Sequence, residues 1–536
     1  MATGIYWREP AACFMREMLL DLPPEASFFY RSTNNMCQPM ISPPLMSPSA
    51  FDWEYTSEDV IVVGDEKSKH FILAGALSAF RSQTYFTLVR RGRLHSIIAK
   101  QPDIKPDKQP EELVVLEGDD WRTLLTDYAD RVAKTMNVKP INTAKNIVGY
   151  CSWYYYYADV TEQNFLDNID ALVANQKAFP AQYAQIDDGY QTFQGDWLDQ
   201  DASWPTPLSE IGAKIQKSGM TGGIWLMPFL ASTASRIFRE HPEYFVRDRN
   251  DKPLRINGWS PPPDNYWVCL DTTQPAVREH MKKTFQSLYD MGFHFFKMDG
   301  LGYGIPCGKR SDPNATAISA YRLGLQTITE AVPEATLLGC GAPVMPSLGF
   351  IHHNRVSADT GRAWEVSMAI PNSPPPAGAP SIVSALHGSL CNWWMFDRFF
   401  RADPDALMAR QDNAFYTIGE ARLSILTGIV TGVAVTSDNL ATIAPDRLEL
   451  LQKAAVLRLH NPRPALWKPD SFVQVFEGTC DGRDAIAVFN DSRITMNYNL
   501  AELGFHGPVE ELIGGGTIQN GILTLPEHDA ALVRRK

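Results

Sequence analysis

Between residues 147 and 436 short apolar segments alternate with amphipathic ones, and few folds are open to a chain with that alternation. The strand-like segments are residues 147–153, 183–187, 223–228, 293–299, 336–341, 354–357, 392–396 and 430–436. Helix-like stretches lie between several of them, at 161–177, 208–217, 275–291, 315–331 and 412–426. Eight strands with intervening helices over about 300 residues predict a (β/α)8 TIM barrel of the α/β class. A doubly wound open sheet is the alternative. It usually carries a glycine-rich phosphate turn after its first strand, whereas Cys151-Ser-Trp-Tyr follows here.

The flanks have a different period. Up to about residue 115 there are β-like runs, among them Val60-Ile-Val-Val, Phe71-Ile-Leu-Ala and Thr84-Tyr-Phe-Thr-Leu-Val. Residues 119–136 then form an amphipathic connector helix, apolar at Trp121, Leu124, Leu125, Tyr128 and Val132. After the barrel, runs such as Ala485-Ile-Ala-Val-Phe and Ile522-Leu-Thr-Leu return to strand spacing. The expected division is an N-terminal antiparallel β-sandwich with its connector over 1–135, a catalytic barrel over 136–457 and a small antiparallel β domain over 458–536. The chain's 536 residues suit three such units.

Composition excludes several partners. With 61 acidic and 49 basic residues and no dense basic run, the chain lacks the clustered positive charge that grips phosphate backbones, so nucleic acid is not expected as a partner. The uncharged stretches 335–351 and 366–386 are broken by proline and glycine, so neither predicts a membrane-spanning helix. Eight scattered cysteines without a CxxC pair read as free thiols in a reducing compartment. The start of the chain shows no basic segment followed by an apolar one, and a cytoplasmic location is the expectation.

In a barrel the reactive groups lie where strands end and their loops begin. Four segments place polar or aromatic residues there. In Phe295-Phe-Lys-Met-Asp-Gly, Lys297 and Asp299 share one face, and a cation beside a carboxylate favours the ionised form a nucleophile needs. A buried ion pair fits equally. In Arg355-Val-Ser-Ala-Asp-Thr, Asp359 follows Asp299 by two βα units; two opposed carboxylates are the apparatus for cleaving a glycosidic bond. A helix-capping aspartate is its plainer reading. The pair Asp187-Asp188 in Gln185-Ile-Asp-Asp-Gly-Tyr suits sugar hydroxyls, a metal or a turn. Trp225 in Gly223-Ile-Trp-Leu-Met-Pro-Phe, and Tyr154, suit the wall of a sugar site or a core.

Taken in order, these segments resemble the α-galactosidases, or melibiases, of glycoside hydrolase family 36. The resemblance covers roughly residues 147–410 and rests also on Gly149-Tyr-Cys-Ser-Trp-Tyr, Gly195-Asp-Trp-Leu, Gly339-Cys-Gly-Ala-Pro, and Met395-Phe-Asp-Arg-Phe with Asp403-Pro-Asp. It implies an exo-acting, retaining hydrolase of terminal α-galactosides with no metal and no cofactor. Asp299 falls on the family nucleophile and Asp359 on its acid/base. Asp187, Asp188, Lys297 and Arg355 match the polar sugar contacts, Tyr154 and Trp225 the aromatic lining, and Cys340 the region near the 2-position. The implied partner is a small carbohydrate. One departure is Thr33-Asn-Asn-Met-Cys-Gln, where relatives place a pocket tryptophan and this chain has Met36. An α-N-acetylgalactosaminidase and a raffinose-synthase-like galactosyl transferase share the same chemistry. A noncatalytic sugar-binding protein on the enzyme scaffold is the reading from a different class.

Overall fold

Eight parallel strands occupy one sheet: β1 (Ile147–Cys151), β2 (Tyr183–Ile186), β3 (Thr221–Leu226), β4 (Phe293–Met298), β5 (Thr336–Gly339), β6 (His353–Arg355), β7 (Arg401–Asp403) and β8 (Val433–Thr436). Their spatial order is β7-β6-β5-β4-β3-β2-β1-β8, so every strand from β1 to β7 lies beside its successor. A bridge between Leu407 and Thr436, with the Leu407 N–H donating to the Val435 carbonyl at 2.6 Å, ties the chain beyond β7 to β8. The fold is a (β/α)8 barrel flanked by antiparallel sheets. The structure is a computed structural model that describes residues 13–20, 26–31, 53–91, 94–105, 108–257, 266–365, 380–466 and 474–536. The segment holding Met36 lies outside the described residues.

Helix α1 (Trp121–Thr135) precedes the barrel. Around the barrel run α2 (Glu162–Asn175), α3 (Leu208–Lys217), α4 (Pro275–Asp290), α5 (Ala317–Ala331), α6 (Ile382–Cys391), α7 (Ile418–Thr431) and α8 (Pro445–Val456). Reciprocal capping boxes at Thr161, Thr316 and Thr417 satisfy the first N–H groups of α2, α5 and α7. The interior of the barrel holds an apolar layer of Cys151, Tyr183, Phe295, Leu338, Val433 and Val435, with the Tyr183 and Phe295 rings stacked 3.9 Å apart. Gly149 makes room for that stack, because a Cβ there would lie 2.4 Å from the Tyr183 ring. Above it the inward positions turn polar at Gln185, Lys297 and Arg355.

Two expectations are corrected. Residues 392–396 are not a strand: Trp393–Met395 form a 3-10 turn, and the seventh strand is Arg401–Asp403. The bulky side chains explain the difference, because the indoles are spent on α1 rather than on a sheet. Trp393 meets Trp121 edge-on with centroids 6.4 Å apart, and Trp394 lies 5.9 Å from Tyr128. The true strand is three residues long with charged ends, so no apolar run marks it. The helix expected at 412–426 also lies later, at Ile418–Thr431, where it stops at Gly432 in the left-handed region (φ 71°).

On the N-terminal side two four-stranded antiparallel sheets meet, with Phe28 of one against Tyr55 of the other at 4.9 Å. On the C-terminal side a five-stranded and a three-stranded antiparallel sheet share a core that includes Ile486, Tyr498, Leu523 and Val533. Arg422 of α7 holds Asp529 with two hydrogen bonds of 2.7 and 2.6 Å, which fastens that unit to the barrel. Trp121→Ala removes the ring that joins α1 to the barrel. It is expected to cost about 3–5 kcal/mol, read as an earlier urea midpoint by circular dichroism.

Candidate active site

The C-terminal ends of β1 to β6 and the loops that follow them bring every residue singled out in the sequence to one end of the barrel. Asp187 and Asp188 follow β2 directly. Lys297 is the fifth residue of β4, and its ammonium donates to Asp187 Oδ2 at 2.8 Å. Its bonded partner is thus Asp187 rather than Asp299, although its charge still acts on Asp299. Asp187 also accepts from Gln185 Nε2 at 2.6 Å, from the Cys151 thiol at 3.1 Å and from the Asp188 N–H at 3.0 Å. Both partners are buried, and burial alone would lower the lysine, but Asp187 pushes it well up, so the ammonium stays charged.

Asp299 sits just past β4. Its Oδ1 accepts the Gly300 N–H at 2.6 Å and its Oδ2 the Trp225 indole N–H at 3.1 Å. Burial would raise this carboxyl, yet the Lys297 charge and the donors from Trp225, Cys340 and Gly300 hold it below the usual aspartate value. Asp188 behaves in the opposite way. Burial, with Asp187 and Asp299 nearby, pushes it up to about 6, while Gln191 Nε2 donates to its Oδ1 at 2.5 Å.

Arg355 ends β6 and is buried. Its Nη2 lies 2.9 Å from Asp359 Oδ1 and 2.9 Å from Asp405 Oδ2, and its Nη1 is 3.6 Å from the Cys340 sulfur. Tyr154, also buried, donates its hydroxyl to Asp405. Burial and the carboxylates of Asp359 and Asp405 keep that phenol well above its ordinary value, so it remains a donor. Asp299 and Asp359 alone among the acids named in the sequence are half-buried rather than buried.

Asp403 and Asp405 were not picked out as site residues. Asp403 is the last residue of β7 and Asp405 lies two beyond, which is the position that marks reactive groups in this fold. Placing the seventh strand at 392–396 hid them. Asp405 carries a second signal, a left-handed backbone (φ 79°) at a non-glycine residue, held by the Ala406 N–H bonding its own side chain at 2.7 Å. Burial pushes Asp403 up to about 6 and also raises Asp405. Among the described residues no helix is long and apolar enough to cross a membrane.

Residues 127–334 match the melibiase family model. The chain is 26% identical over 173 residues to the "A type blood alpha-D-galactosamine galactosaminidase" of Flavonifractor plautii, a match covering 30% of this chain and 16% of that protein. It is 21% identical over 249 residues to "Alpha-galactosidase 1" of Pediococcus pentosaceus, covering 43% and 32%. The chain therefore spans less than a third of the length of either curated relative. The α-galactosidase of Thermus thermophilus, solved with p-nitrophenyl α-D-galactopyranoside, superposes with a TM-score of 0.69 at 21% identity over 88% of this chain and 92% of that one. The fold is shared almost end to end with that structure, and the first half of the barrel matches the melibiase family model.

Proposed function

We propose that this chain is a retaining, exo-acting glycoside hydrolase that releases terminal α-linked galactose by double displacement. One observation carries the reading. The supporting side chains Asp187, Asp188, Lys297 and Arg355 are buried, whereas Asp299 and Asp359 keep a face toward solvent, Asp359 with 32% of its side chain exposed. Reacting groups must reach a substrate, and supporting groups need not.

In the first step an Asp299 oxygen forms a bond to the anomeric carbon as the bond to the leaving oxygen breaks, and the proton on Asp359 passes to that oxygen. Asp299 is suited to attack because it is held ionised and its two N–H donors fix its direction. In the second step Asp359 takes a proton from water, water attacks the anomeric carbon, and Asp299 departs, so the product keeps the α configuration. Asp188, Lys297 and Arg355 lie where ring hydroxyls would be bound, with Trp225 and Tyr154 as the aromatic walls. A cytoplasmic location is supported by the described cysteines, all of them free thiols.

The Flavonifractor plautii relative, named as a galactosaminidase, supports a second reading in which the sugar carries an amino or acetamido group at its 2-position. Cys340, buried and reached by Arg355, stands in the segment that the family resemblance puts near that position. Nitrophenyl α-galactoside and nitrophenyl α-N-acetylgalactosaminide compared side by side decide between them.

Asp299→Gly is expected to lose essentially all hydrolysis and, with added azide, to yield β-galactosyl azide, detected by NMR. Wild-type rates in that variant would remove the nucleophile assignment, whereas sugar binding without hydrolysis by the wild-type protein would leave a noncatalytic binder as the better description. Trp225→Phe keeps an aromatic wall but removes a donor to Asp299. Its carboxyl should then hold its proton to higher pH, moving the acidic limb of the kcat/KM profile up by about half to one unit.

A further inference from the structure

Arg355 poses a charge problem that the two-carboxylate reading leaves open. Only 2% of its side chain is exposed, and a guanidinium buried that deeply needs a counter-charge at all times. Asp359, one of its partners, must carry a proton at the start of the reaction and lose it during the first step. While protonated it is no longer a counter-ion.

A second carboxylate stands on the same guanidinium nitrogen. Arg355 Nη2 is equidistant, at 2.9 Å, from Asp359 and Asp405. Asp405 is held from several directions: by the Tyr154 hydroxyl, by the Thr360 N–H at 2.9 Å, and through its own N–H, which donates to Asp403 Oδ1 at 2.8 Å. Tyr154 is itself anchored, its N–H donating to Ser437 Oγ at 2.7 Å. Asp405 is buried, so it is placed to serve Arg355 rather than to react.

We propose that Asp405 is a positioning residue, the permanent counter-ion of Arg355, which lets Asp359 lose and regain its proton without leaving the guanidinium unpaired. The inference rests on the assignment of Asp299 and Asp359 above. It closes the charge balance of the first step. When Asp359 gives its proton to the leaving oxygen it gains a negative charge, and Asp299 loses one on forming its bond to the sugar. With Asp405 ionised throughout, the four groups Asp299, Arg355, Asp359 and Asp405 keep the same total charge in both states. The other ionisable groups facing Asp359 and Asp405 are Tyr154 after β1, Lys297 on β4, Cys340 after β5 and Asp403 on β7, and none is replaced in Asp405→Asn.

The test is Asp405→Asn in the full chain, with kcat/KM followed against pH on two substrates. Methyl α-galactoside needs its leaving oxygen protonated, and 2,4-dinitrophenyl α-galactoside does not. Without Asp405, Arg355 acts on Asp359 alone and a like charge is gone. Both changes make Asp359 give up its proton at lower pH. The basic limb should fall by about one unit. Turnover of the methyl glycoside at neutral pH should drop roughly tenfold or more, while the dinitrophenyl glycoside changes by less than about threefold. Equal loss on both substrates with the limb unmoved would assign Asp405 to sugar binding or structure and overturn the proposal. Should Asp405→Asn not fold by circular dichroism, Tyr154→Phe removes one donor to Asp405 and keeps the ring. It is expected to move the limb in the same direction by less, and an unmoved limb overturns the proposal equally. Asp299→Ala run in parallel separates the two levels. Retained turnover there defeats the catalytic assignment, whereas its loss alongside an unmoved Asp405→Asn limb defeats only the role of Asp405.

Discussion

Charge buried at the mouth of the barrel is the constraint on which the rest of the structure depends. Lys297 and Arg355 project from strands of one sheet and are buried, and neither tolerates isolation there. Each is met by an acid from another strand end, Lys297 by Asp187 after β2 and Arg355 by Asp405 after β7, and Arg355 also by Asp359 four residues on. The pairs Lys297–Asp187 and Arg355–Asp405 therefore form only once β2 with β4, and β6 with β7, are assembled in register. The apolar layer beneath, with Tyr183 stacked on Phe295, sets the depth at which these groups sit.

The same arrangement sets different proton affinities in a small volume. Asp299 is held down by a cation and N–H donors, whereas Asp188 and Asp403 are pushed up toward 6 by burial and like-charged neighbours. One carboxylate is thus kept ready as an anion among others whose environment favours a proton. Neighbouring sites whose environments push them apart in this way are what acid/base chemistry at neutral pH requires.

Much of this was legible residue by residue. Lys297 and Asp299 close an apolar strand two positions apart, so their common face follows from strand geometry alone, and the eightfold alternation gave the barrel. Strand seven was not legible. Arg401-Ala-Asp has no apolar run, and its charged ends are stable only because Asp397, backbone carbonyls near residues 142–145 and Gly432 receive Arg401. The tryptophans that looked strand-like belong to the packing of α1. That one misplacement concealed Asp403 and Asp405, although both stood in a segment already marked as distinctive.

The amino-acid order by itself determined the fold class and the segments that carry the candidate site residues, because hydrophobic period and strand-end position are local properties. Pairing was decided only by the tertiary structure. Lys297 bonds Asp187, 110 residues away, rather than Asp299 beside it, and Arg355 divides one nitrogen between Asp359 and Asp405. Which buried charge meets which depends on the angle between strands around a closed barrel, a quantity that no local pattern contains.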